Sequence, residues 1–182
     1  MRHAIPDELT GGLDEIRRSP ADVGTVELVV RRPAEGEREV LDEGVLDLEE
    51  GLVGDSWRVR GSSRTPDGSA NPLAQVTVMN VRTIALVAGD PERWPLAGDQ
   101  LYVDLDLSLE NLPAGTRVAV GGAVLEVTAD PHTGCAKFSA RFGSDALRFV
   151  NSPDGRALRL RGLNARVVEP GTVRAGDTVR RL

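Results

Sequence analysis

The chain has 182 residues, 40% of them hydrophobic and 27% charged, and a formal net charge of −6. This length suits one domain of ordinary size, and the balance of apolar and charged residues excludes wholesale disorder. An acidic chain lacks the Lys/Arg surplus that a sequence-independent grip on nucleic acid requires. No run approaches the ~20 apolar residues that span a bilayer.

Residues Met1–Thr10 are polar and carry Pro6, Asp7 and Glu8, so they lack the apolar core of a signal peptide; the expected compartment is the cytoplasm. The single cysteine, Cys135, forms no internal disulfide, which fits a reducing environment. Punctuation by 20 Gly and 11 Pro divides the chain into short segments, as in barrels and sandwiches.

In chain order, Thr10–Arg18 predicts a short leading helix stopped by Ser19-Pro20. Val23–Arg31 alternates, with Val26, Leu28 and Val30 on one face, which is strand periodicity. Val40–Asp55 mixes apolar and acidic residues and ends in the glycine-flanked turn Gly51-Leu52-Val53-Gly54-Asp55. Arg60–Asn71 reads as an exposed loop. Gln75–Met79 predicts a strand, and Asn80 caps a helix over Val81–Ala88 with Gly89 as its stop. Leu101–Leu109 alternates strictly, with Tyr102, Asp104, Asp106 and Ser108 on the polar side. Thr116–Val120 and Ala123–Thr128 flank Gly121-Gly122 as a hairpin. Phe138–Val150 predicts helix around Gly143. Ala165–Arg180 predicts two or three short strands broken at Pro170-Gly171 and Gly176-Asp177. The organisation expected is a lead segment over 1–22 and one mainly β domain with a few short helices over 23–182.

Chemistry centres on Cys135, in Pro131-His132-Thr133-Gly134-Cys135-Ala136-Lys137-Phe138. Gly134 permits close backbone approach, and Lys137 or a protonated His132 would favour thiolate over thiol, as would the free N–H groups of a following helix. A small buried hydrophobe is the bland alternative for a lone cysteine. His132 and Cys135 supply at most two zinc ligands where a structural site takes four, and the other histidine, His3, lies in the polar terminal stretch. No G-x-S-x-G elbow supports Ser-His-Asp catalysis, and neither phosphate-binding glycine motif is present. Asp99, Asp104, Asp106 and Glu110 read as a solvated face rather than a calcium or acid–base site. Of the arginines after the cysteine (Arg141, Arg148, Arg156, Arg159, Arg161, Arg166), a few converging on the thiol would form a phosphate- or pterin-anion site.

Four elements in order resemble the MOSC domain, the C-terminal domain type of molybdenum cofactor sulfurases. Gly51-Leu52-Val53-Gly54-Asp55 resembles its G-L-x-G-D element, and Leu109-Glu110-Asn111-Leu112 its G-E-N-[LI] element. His132–Phe138 is similar to its cysteine motif. Arg161-Gly162-Leu163-Asn164-Ala165-Arg166-Val167, with Gly171 and Gly176-Asp177, is similar to its closing signature. The resemblance implies a β-barrel related to the pyruvate kinase β-barrel domain. It also implies molybdenum cofactor as ligand and Cys135 as the functional residue, either carrying sulfur as a persulfide or ligating molybdenum in a molybdenum-dependent reduction of N-hydroxylated compounds. By the same resemblance, Asn111 would hold the site loop, and Gly54 and Asp55 would shape the opposite wall. His132, Thr133, Gly134 and Lys137 would contribute to the cofactor pocket, and Arg161, or a neighbour, would meet the cofactor phosphate.

Two departures stand out. Ser56-Trp57 follows Asp55 where many members carry a basic residue and histidine, and Leu109 replaces the glycine before Glu-Asn. Lys137 is the only lysine, so a pyridoxal phosphate Schiff base is not expected, and sulfur or electrons would come from a separate donor or redox partner protein. Two other functions stay open at this point: a non-catalytic interaction module on the same scaffold, and a thiol-dependent enzyme acting on N-hydroxylated or electrophilic compounds.

Overall fold

The structure is a computed structural model that describes residues 3–182. Helices α1 (Pro6–Gly11) and α2 (Leu13–Arg17) lead into strands β1 (Val23–Arg31), β2 (Glu39–Leu41), β3 (Glu43–Asp47) and β4 (Gly51–Leu52). Next come α3 (Trp57–Arg60), a 3₁₀ turn (Pro72–Ala74), β5 (Val76–Asn80), α4 (Val81–Ala88) and a second 3₁₀ segment (Pro91–Ala97). Strands β6 (Leu101–Asp104), β7 (Arg117–Val120) and β8 (Ala123–Val127) follow. Helices α5 (Ala136–Phe142), α6 (Ser144–Asn151) and α7 (Pro153–Ala157) precede β9 (Leu163–Glu169), β10 (Gly171–Arg174) and β11 (Thr178–Arg181).

Seven strands close into a barrel in the order β1-β11-β7-β8-β9-β5-β6, with β6 returning to β1. Every neighbour is antiparallel except β5 and β6, which run parallel because α4 carries the chain from one to the other. Strand β2 extends from the edge of β1, and β10, β3 and β4 form a small separate sheet. The interior is aliphatic: Val26, Val29, Val76, Val78, Leu101, Val103, Leu125, Val127 and Val179 meet there, among others. A second apolar cluster lies outside the barrel, where Leu9, Ile16, Ile84, Val87, Phe138, Phe142 and Val150 from the helices cover Val30, Met79 and Tyr102.

The two clusters explain where the strand periodicity misleads. A β-bulge between Val26 and Leu28 shifts the alternation, so Val26 and Val29 point into the barrel while Leu28 and Val30 point out beneath the helices. Tyr102, expected on a polar face, is fully buried and its hydroxyl donates to the Trp94 carbonyl at 2.8 Å. The Leu101–Leu109 strand ends at Asp104 because the chain then turns: Asp106 N–H bonds the Pro20 carbonyl, and Ser108 N–H bonds the Asp106 side chain. Leu105 and Leu107 still reach the barrel interior, which is why the alternation persists past the strand. The leading helix is two short helices, with Pro6 in the first turn and a break at Gly12, where a Cβ would stand 2.5 Å from the Leu86 side chain. Asn80 caps α4 as expected, accepting from the N–H groups of Arg82 and Thr83.

Candidate functional site

Cys135 is exposed and occupies the N-cap position of α5, with extended backbone (φ −126°, ψ 178°) and no capping bond from its sulfur. Two features fix it. Phe138 and Phe142, four residues apart on α5, are buried with ring centroids 4.9 Å apart, which anchors the apolar face of the helix. Ahead of the cysteine, the Asn151 amide clamps Gly134 from both sides, accepting from its N–H at 2.9 Å and donating to its carbonyl at 3.0 Å. A Cβ on Gly134 would fall 2.8 Å from Leu147, 2.9 Å from Val150 and 3.2 Å from Asn151, so the loop passes where only glycine fits.

The thiol opens onto a cleft of about 150 Å³ whose walls carry Arg32, Arg38, Arg60, Lys137, Arg141 and Arg161. These cations fall into three groups. Arg32 and Arg161 are buried and consumed by carboxylates. Asp55, with a fully buried side chain, takes two bonds of 2.8 Å from the Arg32 guanidinium and 2.9 Å bonds from the backbone N–H groups of Arg32 and Trp57. Asp99, also fully buried, accepts from Arg161 Nη1 at 2.6 Å and from His132 Nε2 at 2.8 Å. Arg161 also donates to the Ala97 carbonyl at 2.9 Å and lies 5.1 Å from the Phe138 ring centroid. Burial opposes charge on Asp99, yet Arg161 and His132 together hold its pKa well below the usual carboxylate range.

Arg38, Arg60 and Arg141 have no carboxylate partner among the described residues. Arg38 and Arg141 donate to backbone carbonyls of Pro95, Glu37 and Leu96, and the Arg60 side chain makes no hydrogen bond. Desolvation lowers the pKa of both Arg38 and Arg60, and repulsion from neighbouring guanidiniums adds to it: Arg141 and Arg32 on Arg38, and Arg32 on Arg60. Lys137 pairs with Glu35 across the mouth at 2.7 Å, with both side chains in solvent.

His132 is not the cation that the sequence suggested beside the thiol. Burial first, and then Arg161, push its pKa below the ordinary histidine value against the pull of Asp99, so it stands neutral and donates from Nε2. His132 and Thr133 line a neighbouring pocket rather than the cysteine cleft. Gly54 sits at φ 80°, where a Cβ would come within 2.7 Å of Arg31, and its neighbour Asp55 reaches the cleft only through Arg32. Asn111 lies elsewhere, donating to the carbonyls of Ala21 and Asp106 and accepting from Arg181. Of the arginines following Cys135, the cleft gathers Arg141 and Arg161 and leaves out Arg148, Arg156, Arg159 and Arg166. Sequence reading missed Arg32, Arg38, Arg60 and Asn151, and took Asp99 for a solvated acid.

The MOSC domain model matches residues 69–180. The chain belongs to the MOSC domain family. The matched span holds Asn111, Cys135 and Arg161, while Gly51–Asp55 precedes it. MOSC domains are associated with molybdenum-cofactor-related proteins. No curated protein matches the chain. Among solved structures, YuaD from Bacillus subtilis superimposes with a TM-score of 0.63 at 20% identity, covering 86% of this chain and 94% of that one. YiiM from Escherichia coli gives a TM-score of 0.55 at 20% identity, covering 87% and 69%. YiiM from Geobacillus stearothermophilus gives 0.52 at 11%, covering 89% and 73%. At these identities the likeness concerns the fold. No helix among the described residues is long and apolar enough to cross a membrane.

Proposed function

We propose that this MOSC protein handles molybdenum cofactor at Cys135, whose sulfur either ligates the metal or carries sulfur to it. The observation that carries this reading is an exposed thiol in a cleft with three guanidiniums that form no ion pair with a carboxylate among the described residues. A soft sulfur ligand and a cationic wall suit a cofactor that joins a thiophilic metal to an anionic pterin phosphate. No group of three or more His, Cys, Asp or Glu gathers as a ligand set among the described residues, so a metal here would arrive with ligands of its own.

When bound, the cofactor supplies a redox-active metal that also accepts sulfur. The chain's own contributions are separate. Arg38, Arg60 and Arg141 would hold the anionic group. Arg161, locked on Asp99, would keep the wall beside the thiol rigid, and the Asn151 clamp would hold Gly134 so that Cys135 stays at the cleft. In the carrier version, the Cys135 thiolate attacks the outer sulfur of a donor protein's persulfide. The new S–S bond forms on Cys135 while the donor's own thiolate leaves, so no outside oxidant is needed. Cytoplasmic placement and a separate sulfur or electron donor belong to this reading.

Elemental mass spectrometry on wild-type and Cys135→Ser proteins, purified from a molybdate-supplied host, tests the ligand version. Molybdenum in the first and none in the second supports it. Molybdenum absent from both folded proteins, with no persulfide on Cys135 after incubation with a persulfide donor, defeats the proposal.

A further inference from the structure

Beyond the buried Arg161–Asp99–His132 wall lies a second pocket, of about 200 Å³, which shares none of its lining residues with the cysteine cleft. Its walls include the apolar side chains of Leu109, Val150 and Leu163 and the cationic ones of Arg156 and Arg159.

Arg159 is the one non-glycine residue with positive φ among the described residues, at 49°. It ends α7 in a Schellman turn, in which Leu160 N–H donates to the Gly155 carbonyl at 2.8 Å and Arg159 N–H to the Arg156 carbonyl at 3.2 Å. Glycine is the usual occupant of that left-handed position, because a Cβ is disfavoured there. The side chain held at this cost is a half-buried guanidinium whose Nη1 donates to the carbonyls of Leu107 (3.2 Å) and Leu112 (2.6 Å). Bracing two carbonyls needs donors but not a charge. The charge has no carboxylate partner among the described residues, and desolvation alone lowers its pKa. Asp130, the acid in the same lining, is already engaged by Arg64 at 2.9 Å and Asn71 at 3.0 Å.

We propose that this pocket binds a small organic monocarboxylate with an apolar, ring-sized body. The carboxylate would pair with Arg159, and the body would lie against Leu109, Val150 and Leu163. An inorganic anion would satisfy the guanidinium and leave the apolar wall wet. The volume is below the ~300–1,000 Å³ of drug-sized sites, which sets the size class. The proposal does not depend on molybdenum chemistry, since no residue is shared with the cleft.

The test is isothermal titration of the full-length protein, without cofactor, with benzoate, benzamide and inorganic phosphate as probes. Benzoate should saturate one site, with benzamide at least tenfold weaker and phosphate a poor competitor. Arg159→Gln keeps an amide donor for the loop carbonyls but removes the charge. Leu109→Asp spares the core, because Leu109 is 51% exposed, and puts a repelling carboxylate on the rim. Each should weaken benzoate at least tenfold, with Leu109→Asp deciding if Arg159→Gln unfolds, while Arg60→Ala in the cysteine cleft leaves binding unchanged. Any of four results overturns the assignment: no saturable binding, equal affinity for benzoate and benzamide, phosphate competing as well as benzoate, or a loss in Arg60→Ala as large as in Leu109→Asp.

Discussion

Replacing Asp99 by Asn should cost the fold about 3–5 kcal/mol, the range found when one partner of a buried ion pair is removed. The upper half of the range is expected here. Asp99 is fully buried and Arg161 is 7% exposed, so the little water that meets the guanidinium from the cleft side replaces only a small part of the lost charge. Arg161 Nε already lacks a hydrogen-bond partner, and Nη2 is committed to the Ala97 carbonyl. Asparagine keeps the shape and still accepts a hydrogen bond, so the loss isolates charge from packing. Urea unfolding followed by tryptophan fluorescence and circular dichroism reads the effect. With an m-value of about 1–3 kcal/mol/M, the midpoint should fall by at least about 1 M at unchanged slope. The double substitution Asp99→Leu with Arg161→Met removes both charges and should recover most of the stability, leaving the deficit of an unpartnered His132. A loss below about 1 kcal/mol in Asp99→Asn would mean that Arg161 is solvated, and the rigid wall between the two pockets would fall with it. A double variant no better than the single one would show that shape rather than charge decides the cost.

Stability should also fall on acidification. The His132 pKa is lowered in the fold, so below the unfolded value of about 6.5 the unfolded chain binds the extra proton, and its contribution shrinks as pH drops through the folded value. Asp99 adds a second loss only below about pH 4, since its folded pKa is depressed and its stabilisation is present above the unfolded value. Melting curves from pH 7.5 to 5 should slope by up to about 1.4 kcal/mol per pH unit, and His132→Asn should flatten them. In the cleft, Arg38→Ala and Arg60→Ala should lower the rate of Cys135 alkylation by iodoacetate severalfold relative to neutral iodoacetamide, and added salt should shrink the difference; an unchanged ratio would mean that the guanidiniums do not face the thiol. Asn80→Ala should cost about 2–4 kcal/mol, combining a lost N-cap with the buried Leu105 carbonyl that the Asn80 amide now satisfies. A chemical denaturation midpoint within error of wild type would refute that sum.

How much of this was legible in the sequence depended on how local the cause was. The hairpin at Gly121-Gly122 and the Asn80 cap are set by neighbouring residues and stand where expected, whereas the helix expected over Phe138–Val150 is broken at Gly143 into α5 and α6. The barrel followed from the ordered motif set. What stayed hidden is long-range. The bulge in β1 is invisible in a run of Val and Leu, because both faces of that strand are apolar: one meets the barrel and the other the helices. Tyr102 failed for the same reason. Asp99 was read with Asp104 and Asp106 as a polar face, although it precedes β6 and meets partners 33 and 62 residues away. A signal existed in composition: with Arg the main cation, buried carboxylates were the natural partners for arginines that cannot lose their charge. Nothing local marked Arg38 and Arg60 as sharing a cleft with a cysteine 97 and 75 residues later in the chain.

The charge balance shows why a net property did not forecast the site. A chain of net charge −6 repels extended polyanions, yet its cysteine faces a cationic cleft. The two statements agree because the carboxylates nearest the cleft, Asp55 and Asp99, are spent inside the protein on Arg32 and Arg161, while Glu35 at the mouth is taken by Lys137. The unspent charge is that of Arg38, Arg60 and Arg141. At physiological ionic strength, fields fade over about 8 Å, so an anion in the cleft responds to the groups that line it, Glu35 included, more than to the distant acidic surface. Composition therefore argues against nucleic acid without arguing against a small anionic ligand. Raising the salt should weaken capture of such a ligand by the cleft, whereas the buried pairs that shape its walls should hold.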